Sequence, residues 1–476
     1  MTATSQAAGP SAAASADAVL PVRAARRGTE LVLLVFAVVV AGVAQAAQSI
    51  GRTSTLTNDV TRYTVALAVL TGIAHLAVRR LAPAADPLLL PVVVVLNGLG
   101  LALIARIDAT PRFDPVAPRQ LIWMAIGLLA FVAVLAGVRD HTVLARYGYT
   151  CALVGLVLLL LPAVLPARFS EINGAKVWIR FAGFSFQPSE IAKLLLIVFF
   201  ASYLVAKRDV LSVVTRSVLG LPLPRARDLG PVLIVWAASL VVLVVERDLG
   251  SSLLFFGVFT AMLYVATQRA SWLAIGALLF AGGAVVSWSL FPTVQKRVDI
   301  WLHAFDATKV SGSSYQLVQS LYGFASGGLF GTGLGRGRPD LVPFSRTDFI
   351  FSALGEELGL VGVFATLVLF ALLVARGFRA ALGVRDSFGK LLAGGLAASM
   401  ALQVFVIVGG VMRLIPLTGL TTPFLSYGGS SLVANYALVA LLLRVSDAAR
   451  RPPPPLRAEA PAGATEVVRL PAAGLR

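Results

Sequence analysis

The sequence predicts an all-α, polytopic integral membrane protein with about twelve transmembrane helices. Hydrophobic residues make up 58% of the 476 and charged residues only 13%, roughly half the charged share of a soluble domain. Mean hydropathy is +0.85. Apolar runs of about 18 residues or more recur along the chain, each long enough to cross a hydrocarbon core as a helix. The net charge of +17 would suggest nucleic acid in a soluble protein. Here most Lys and Arg residues flank the apolar runs, as the cytoplasmic bias of positive charge requires, so no nucleic-acid partner is expected.

The spans begin near Glu30, Tyr63, Pro87, Gln120, Val143, Pro188, Pro231, Ser251, Trp272, Gly355, Leu391 and Ser430. Residues 1–27, rich in Ala and Ser and ending in RAARR, read as a disordered tail. Together with the AQA that follows the first run, that basic end imitates a secretory signal. The run exceeds the usual apolar core of about 7–15 residues, so it reads as an uncleaved span. Arg79 and Arg80 close the second span, and Arg139 and Arg146 separate the fourth from the fifth. Lys207, Arg208, Arg216, Arg225 and Arg227 follow the sixth, and Arg269 the eighth. Arg376, Arg379, Arg385 and Lys390 lie between the tenth and eleventh, and Arg444, Arg450 and Arg451 end the twelfth. These alternate connections form the cytoplasmic face, which places both termini inside. Residues 447–476, rich in Pro and Ala, read as a second disordered tail. Cys151 is the only cysteine, and His75, His141 and His303 are too scattered for a metal-ligand motif.

Two long connections fall on the outer side, residues 166–187 and about 291–350. Loops of that length are usually functional or disordered, and the Trp, Phe and Gly content of the second argues against disorder. Both carry basic residues on the disfavoured side: Arg168, Lys176 and Arg180 in one, and Lys296, Arg297, Lys309, Arg336, Arg338 and Arg346 in the other. An anionic ligand outside would explain them; solvated charges on long loops would explain them equally well.

Five stretches carry candidate chemistry. In FQPSEIAK, Pro188 suits a first helical turn and Glu190 the positive end of the helix dipole. Lys193, one turn deeper in an apolar run and on the same face as Glu190, is the kind of intramembrane charge that faces a protein cavity; a local ion pair with Glu190 at a capped helix start is the alternative. VVERDLGSS ends one span with Asp248 and permits a tight return, which also fits a plain charged hairpin. In YQLVQSLYGFASGGLFGTGLGRG, Gln316, Gln319 and Ser320 share a helical face with Tyr315, and the glycines after them predict irregular backbone. A nucleotide loop is excluded there, because no strand precedes it and Arg336 stands at the last glycine position of the motif. PLTGLTTPFLSYGGSSL shapes an outer turn with Ser426 in it and Ser430 or Ser431 as a cap of the last span, a helix start that favours anions and that also fits an ordinary capped helix. In PFSRTDFIFSALGEELG, Asp348 lies between Arg346–Thr347 and Phe349–Ile350–Phe351 at the outer mouth of a span. A carboxylate with apolar neighbours has its pKa raised, which suits a general base; pairing with Arg346 as a helix-entry Asp is the alternative.

Taken in order, NGAKVWIRFAGFSFQPSEIAK, ERDLGSS, YQLVQSLYGFASGGLFGTGLGRG, RTDFIFSALGEELGLVG and PLTGLTTPFLSYGGSSL resemble the SEDS family, the shape, elongation, division and sporulation proteins that include RodA and FtsW. The resemblance implies a ten-helix SEDS-like catalytic core over residues 87–446, with its extracytoplasmic loop at about 291–350. Residues 28–86 then add two N-terminal helices, an arrangement similar to actinobacterial RodA-like members. It further implies a peptidoglycan glycosyltransferase in the bacterial cytoplasmic membrane, with its active site on the outer side. Such an enzyme polymerises lipid II beside a class B penicillin-binding protein and uses polyprenyl-pyrophosphate-linked glycan as donor. Asp348 falls on the catalytic Asp of the family's TDFIF motif, Glu190 and Lys193 on its cavity-lining motif, and Asp248 on its PDLG Asp. Arg247 stands where the family has Pro, and Arg346 where it commonly has His. No organic cofactor is expected; a divalent cation, Mg or Mn, would be compatible with one or two carboxylates and substrate oxygens. The rival readings are a lipid II flippase and a non-enzymatic scaffold for a penicillin-binding protein. The short C-terminal tail and the extra spans favour elongation over division.

Overall fold

The structure is a computed structural model describing residues 27–451 except 112–113, 173–174, 182–183 and most of 212–247. Its main helices are α1 (Arg27–Thr53), α2 (Asn58–Leu81), α3 (Leu89–Asp108), α4 (Ala117–Gly137), α5 (Gly148–Val164), α6 (Pro188–Leu211), α7 (Leu249–Thr267), α8 (Ala270–Leu290), α9 (Pro292–Leu302), α10 (Tyr315–Gly327), α11 (Ile350–Gly383), α12 (Ser387–Val411) and α13 (Gly429–Arg450). Among the described residues, 11 helical segments are long and apolar enough to cross a membrane. The span expected from Pro231 and both expected tails lie largely or wholly outside the described residues. Helix α13 runs to Arg450, past the expected edge of the core at 446. Three two-stranded antiparallel hairpins decorate the connections, one of them pairing Ile179 with Phe186.

Helices α3, α12 and α13 are buried along most of their length, whereas α8 is largely exposed. Without a hydrophobic force between helices in lipid, close packing relies on small residues. A Cβ on Gly98 would lie 2.3 Å from the Ala41 Cβ of α1, and one on Gly100 would lie 2.4 Å from the Leu425 carbonyl oxygen. Two polar contacts cross this core: Asn97 donates to the Tyr436 hydroxyl at 3.0 Å, and Glu30 meets His75 at 3.0 Å across α1 and α2.

Helix α11 begins at Ile350, earlier than expected, because Ile350, Phe351 and Leu354 are buried and extend the apolar face. It is broken at Gly359, whose φ of 67° and ψ of −169° are non-helical. The glycine-rich segment after α10 fills that break with its own backbone. The amides of Thr332 and Gly333 donate to the Glu356 and Glu357 carbonyls at 2.9 and 3.0 Å. In return, those of Leu360 and Val361 donate to the Gly328 and Leu329 carbonyls at 2.9 and 3.0 Å. Peptide groups exposed by a helix break inside a membrane need such partners. Side chains would prevent the approach: a Cβ on Gly359 would sit 2.3 Å from the Gly331 nitrogen. The segment also meets α1, since a Cβ on Gly51 would lie 2.1 Å from the Leu334 carbonyl oxygen. Arg106 of α3 completes the clamp with a 3.0 Å ion pair to buried Glu357 and a 2.7 Å hydrogen bond to the Gly337 carbonyl.

Candidate active site

Asp348 stands two residues before α11, on the wall of a cavity of about 520 Å³. Asp248, Arg297 and Gln316 supply the other notable polar side chains, and Trp123 and Trp178 supply aromatic walls. Each comes from a different part of the chain. The turn Thr418–Thr421 closes another side.

Arg297 comes from α9, a short helix lying between α8 and the rest of the outer loop. Its Nη1 donates to the Leu417 and Thr418 carbonyls at 2.9 and 3.0 Å, which fixes the guanidinium at the turn. The turn continues through Gly419, at φ 76°, a left-handed conformation glycine adopts without a Cβ penalty. A Cβ placed there would lie 3.8 Å from Asp348 Oδ2 and 4.0 Å from Arg297 Nη2, so carboxylate and guanidinium converge on this one position.

Asp248 caps the start of α7, accepting from the Gly250 and Ser251 amides at 2.9 and 3.1 Å and from the Ser251 hydroxyl at 2.6 Å. Asp348 has no such set of amides. Burial of its carboxyl pushes its pKa up to about 6, against the opposing pull of the Thr347 hydroxyl and Arg297, with the Asp248 charge adding to the rise. Burial also pushes the Arg297 pKa down, while Asp248 and Asp348 push it back up; a guanidinium stays charged in either case.

The other expected residues divide into wall, brace and bystander. Gln316 lines the cavity. Gln319 and Ser320 do not, although they follow on the same face of α10: one turn on, that face meets α11 and α12. Ser320 is buried there, donating to the Val411 carbonyl at 3.4 Å. Glu190 and Lys193 also lie behind the wall. Lys193 is 2% exposed, 2.8 Å from Glu190 and 2.8 Å from the Gln403 amide oxygen. Gln403 in turn donates to the carbonyl of Thr421, a wall residue, at 3.1 Å. The ion pair therefore braces the turn opposite Asp348.

Arg346 does not pair with Asp348. It donates to Asp108 Oδ1 at 2.8 Å and to the Asp114 carbonyl at 2.7 Å, away from Asp348. Ser426 is a brace: its hydroxyl donates to the Thr347 carbonyl and accepts from the Thr422 amide. The Tyr427 amide donates to the Arg346 carbonyl at 2.7 Å. These bonds hold the backbone immediately before Asp348. Ser430 is not a cap, because α13 starts one residue earlier, at Gly429; Gly428 and Gly429 face the cavity instead. Trp123 packs against that start, where a Cβ on Gly429 would lie 2.1 Å from its ring.

Arg297, Trp123 and Trp178 were not singled out by the sequence. Arg297 had one signal, its place among the basic residues of an outer loop. Among the described residues, no group of three or more His, Cys, Asp or Glu side chains is placed to hold a metal.

The family model FtsW/RodA/SpoVE, described as cell cycle protein, matches residues 86–451. The peptidoglycan glycosyltransferase RodA of Mycobacterium tuberculosis (strain ATCC 25618 / H37Rv) is 52% identical over 440 residues, covering 91% of this chain and 93% of that protein. The stage V sporulation protein E of Bacillus subtilis (strain 168) is 34% identical over 376 residues, covering 77% and 98%. Among solved structures, a chain from a peptidoglycan synthase complex that coordinates polymerization and crosslinking superposes with a TM-score of 0.62 at 28% identity, covering 76% of this chain and 98% of its own. The rod shape determining protein RodA of Thermus thermophilus gives 0.54 at 28% identity, covering 76% and 97%.

Proposed function

This chain belongs to the FtsW/RodA/SpoVE family, and from that premise we propose that it is a peptidoglycan glycosyltransferase of the cell-shape machinery whose general base is Asp348. It is a multi-pass membrane protein. The observation that carries the assignment of the base is a carboxylate on the wall of a 520 Å³ cavity, opposite a fixed guanidinium, with its pKa pushed up to about 6. A base poised near neutrality is ionised at working pH and still strong enough to accept a proton.

The acceptor is lipid II and the donor is the growing strand on its polyprenyl pyrophosphate. Asp348 takes the proton of the acceptor's sugar 4-hydroxyl. That oxygen forms a bond to the donor's anomeric carbon from the side opposite the pyrophosphate, whose bond to carbon breaks with inversion. The proton passes from Asp348 to water. Charge grows on the departing pyrophosphate, and a fixed cation at that place lowers the barrier. Arg297, held by two carbonyls, is the cation in reach. Trp123 and Trp178 offer flat apolar surfaces to sugar rings. Magnesium or manganese, where the reaction uses one, would meet Asp248 and complete its shell with phosphate oxygens and water.

The positive-inside bias supports an arrangement with both termini cytoplasmic and the cavity outside, where a class B penicillin-binding protein would cross-link the product. The deciding experiment mixes purified protein with lipid II in detergent and separates the products by gel. Polymer from the native protein and loss of about 10²–10⁴-fold in Asp348→Asn are expected. Near-normal polymer from a folded Asp348→Asn protein would remove Asp348 from this role, and absence of polymer from the native protein, with and without its partner, would favour a flippase or scaffold.

A further inference from the structure

We infer that a second cavity, at the far end of the helices from Asp348, binds the phosphate of an anionic glycerophospholipid. This cavity, of about 310 Å³, lies between the start of α3 and the ends of α11 and α13. Helix α13 starts at the catalytic cavity and ends at Arg450 in this one. At 1.5 Å per residue, the two are about 30 Å apart, the thickness of a hydrocarbon core. The second cavity is therefore at the opposite membrane boundary, at headgroup depth.

Its charge is unbalanced. Asp86, 2% exposed, is the sole acid on its wall and already accepts from the Leu88 amide at 2.9 Å. It pairs with both Arg450 and, at 3.6 Å, Arg376. Arg379 also lines the cavity, is exposed, and makes no ion pair among the described residues. Two guanidiniums thus share one carboxylate, and Arg379 adds a third positive charge that it does not balance. A phosphate supplies the missing charge, and guanidinium binds it through paired N–H donors.

A lipid is favoured over a soluble anion by the cavity's other wall. Leu382 lines it and is 84% exposed, one helical turn beyond Arg379, and Phe378 beside Arg379 is 36% exposed. A phosphate on Arg379 therefore has apolar surface next to it for acyl chains. Basic pockets between helices at the membrane surface are where anionic headgroups bind. None of this depends on the glycosyl-transfer reading.

The test uses the full-length protein, purified in detergent, and native mass spectrometry with added phosphatidylglycerol or phosphatidylcholine. Arg379 makes no hydrogen bond or ion pair among the described residues, so Arg379→Ala and Arg379→Glu should fold; Lys390→Ala is the control for a basic residue outside the cavity. Preferential retention of phosphatidylglycerol is expected. A loss of about fivefold in Arg379→Ala and about thirtyfold in Arg379→Glu follows from the worth of one charge near a headgroup, with Lys390→Ala unchanged. Equal retention of phosphatidylcholine, unchanged binding in Arg379→Glu, or displacement of the lipid by millimolar inorganic phosphate would each overturn the inference.

Discussion

Replacing Arg297 by Gln should move the acidic limb of the activity profile toward higher pH. The base must be ionised to act, so the native rate should rise through pH 6 as Asp348 loses its proton. Arg297 favours that ionised form, and its removal must raise the pKa of Asp348. The distances from Gly419 put the two charged groups no more than about 8 Å apart. A pair of unit charges at that separation is worth about 2 kcal/mol at an effective dielectric of about 20 and about 0.5 kcal/mol in bulk water. A cavity that admits water lies between these limits, which gives a shift of roughly one unit. The midpoint should move from about 6 to about 7. At pH 6 the ionised fraction would then fall about fivefold, while at pH 8 it would barely change. The assay is kcat/KM for lipid II polymerisation between pH 5 and 8.5, since this ratio reports the free enzyme. Loss of a leaving-group contact lowers the plateau without moving the midpoint, so the two roles separate. A midpoint that stays fixed or moves to lower pH would refute the pairing of these groups.

Three further outcomes follow from the geometry. Ionising Asp348 in its buried site costs the fold up to about 3 kcal/mol at pH 7, from a pKa raised from 3.8 to about 6. Asp348→Asn should therefore raise the Tm at pH 7.5, with the gain shrinking as pH falls from 6 to 4; an equal Tm at both ends would contradict the raised pKa. Lys193→Met leaves Glu190 buried without its partner and should cost about 3–5 kcal/mol. Most of that should return in the double variant with Glu190→Gln, and a double no better than the single would show that the ion pair is not the issue. Gly359→Ala forces a side chain into positive-φ backbone that only glycine readily adopts and against the Gly331 nitrogen, so it should lower stability by more than the roughly 1–3 kcal/mol of the conformational penalty alone. Gly328→Ala, with φ 53° but open space around it, should cost only that penalty; equal Tm losses would place the effect in the backbone angle rather than the contact.

The helices were legible because a bilayer demands long apolar runs, and the one carboxylate at a cavity mouth was legible because its neighbours were so apolar. What could not be read was every contact made across the chain. Arg297 finds its carbonyl partners 120 residues away, at Leu417. Arg346, adjacent to Asp348 in sequence, spends its charge on Asp108, 238 residues earlier. Proximity along the chain suggested the wrong arginine as the partner of Asp348. The polar face of α10 was read correctly as a face, but where that face points depends on how α10 leans on α11 and α12, and spacing carries no such information. Likewise, the glycines after α10 announced irregular backbone without revealing that its purpose is to close a gap in another helix.

That closure bears on how the molecule can be handled. A run of small residues on an outer loop looks like the natural place for an epitope tag or a fluorophore. Residues 328–337 are instead among the least forgiving, since several of their amides and carbonyls are spoken for by a neighbouring helix and positions 331 and 335 lie against backbone. The exposed turn Ser311–Ser313, where a side chain on Gly312 would meet nothing closer than 3.8 Å, is the position from which a reporter can watch the outer surface without disturbing it.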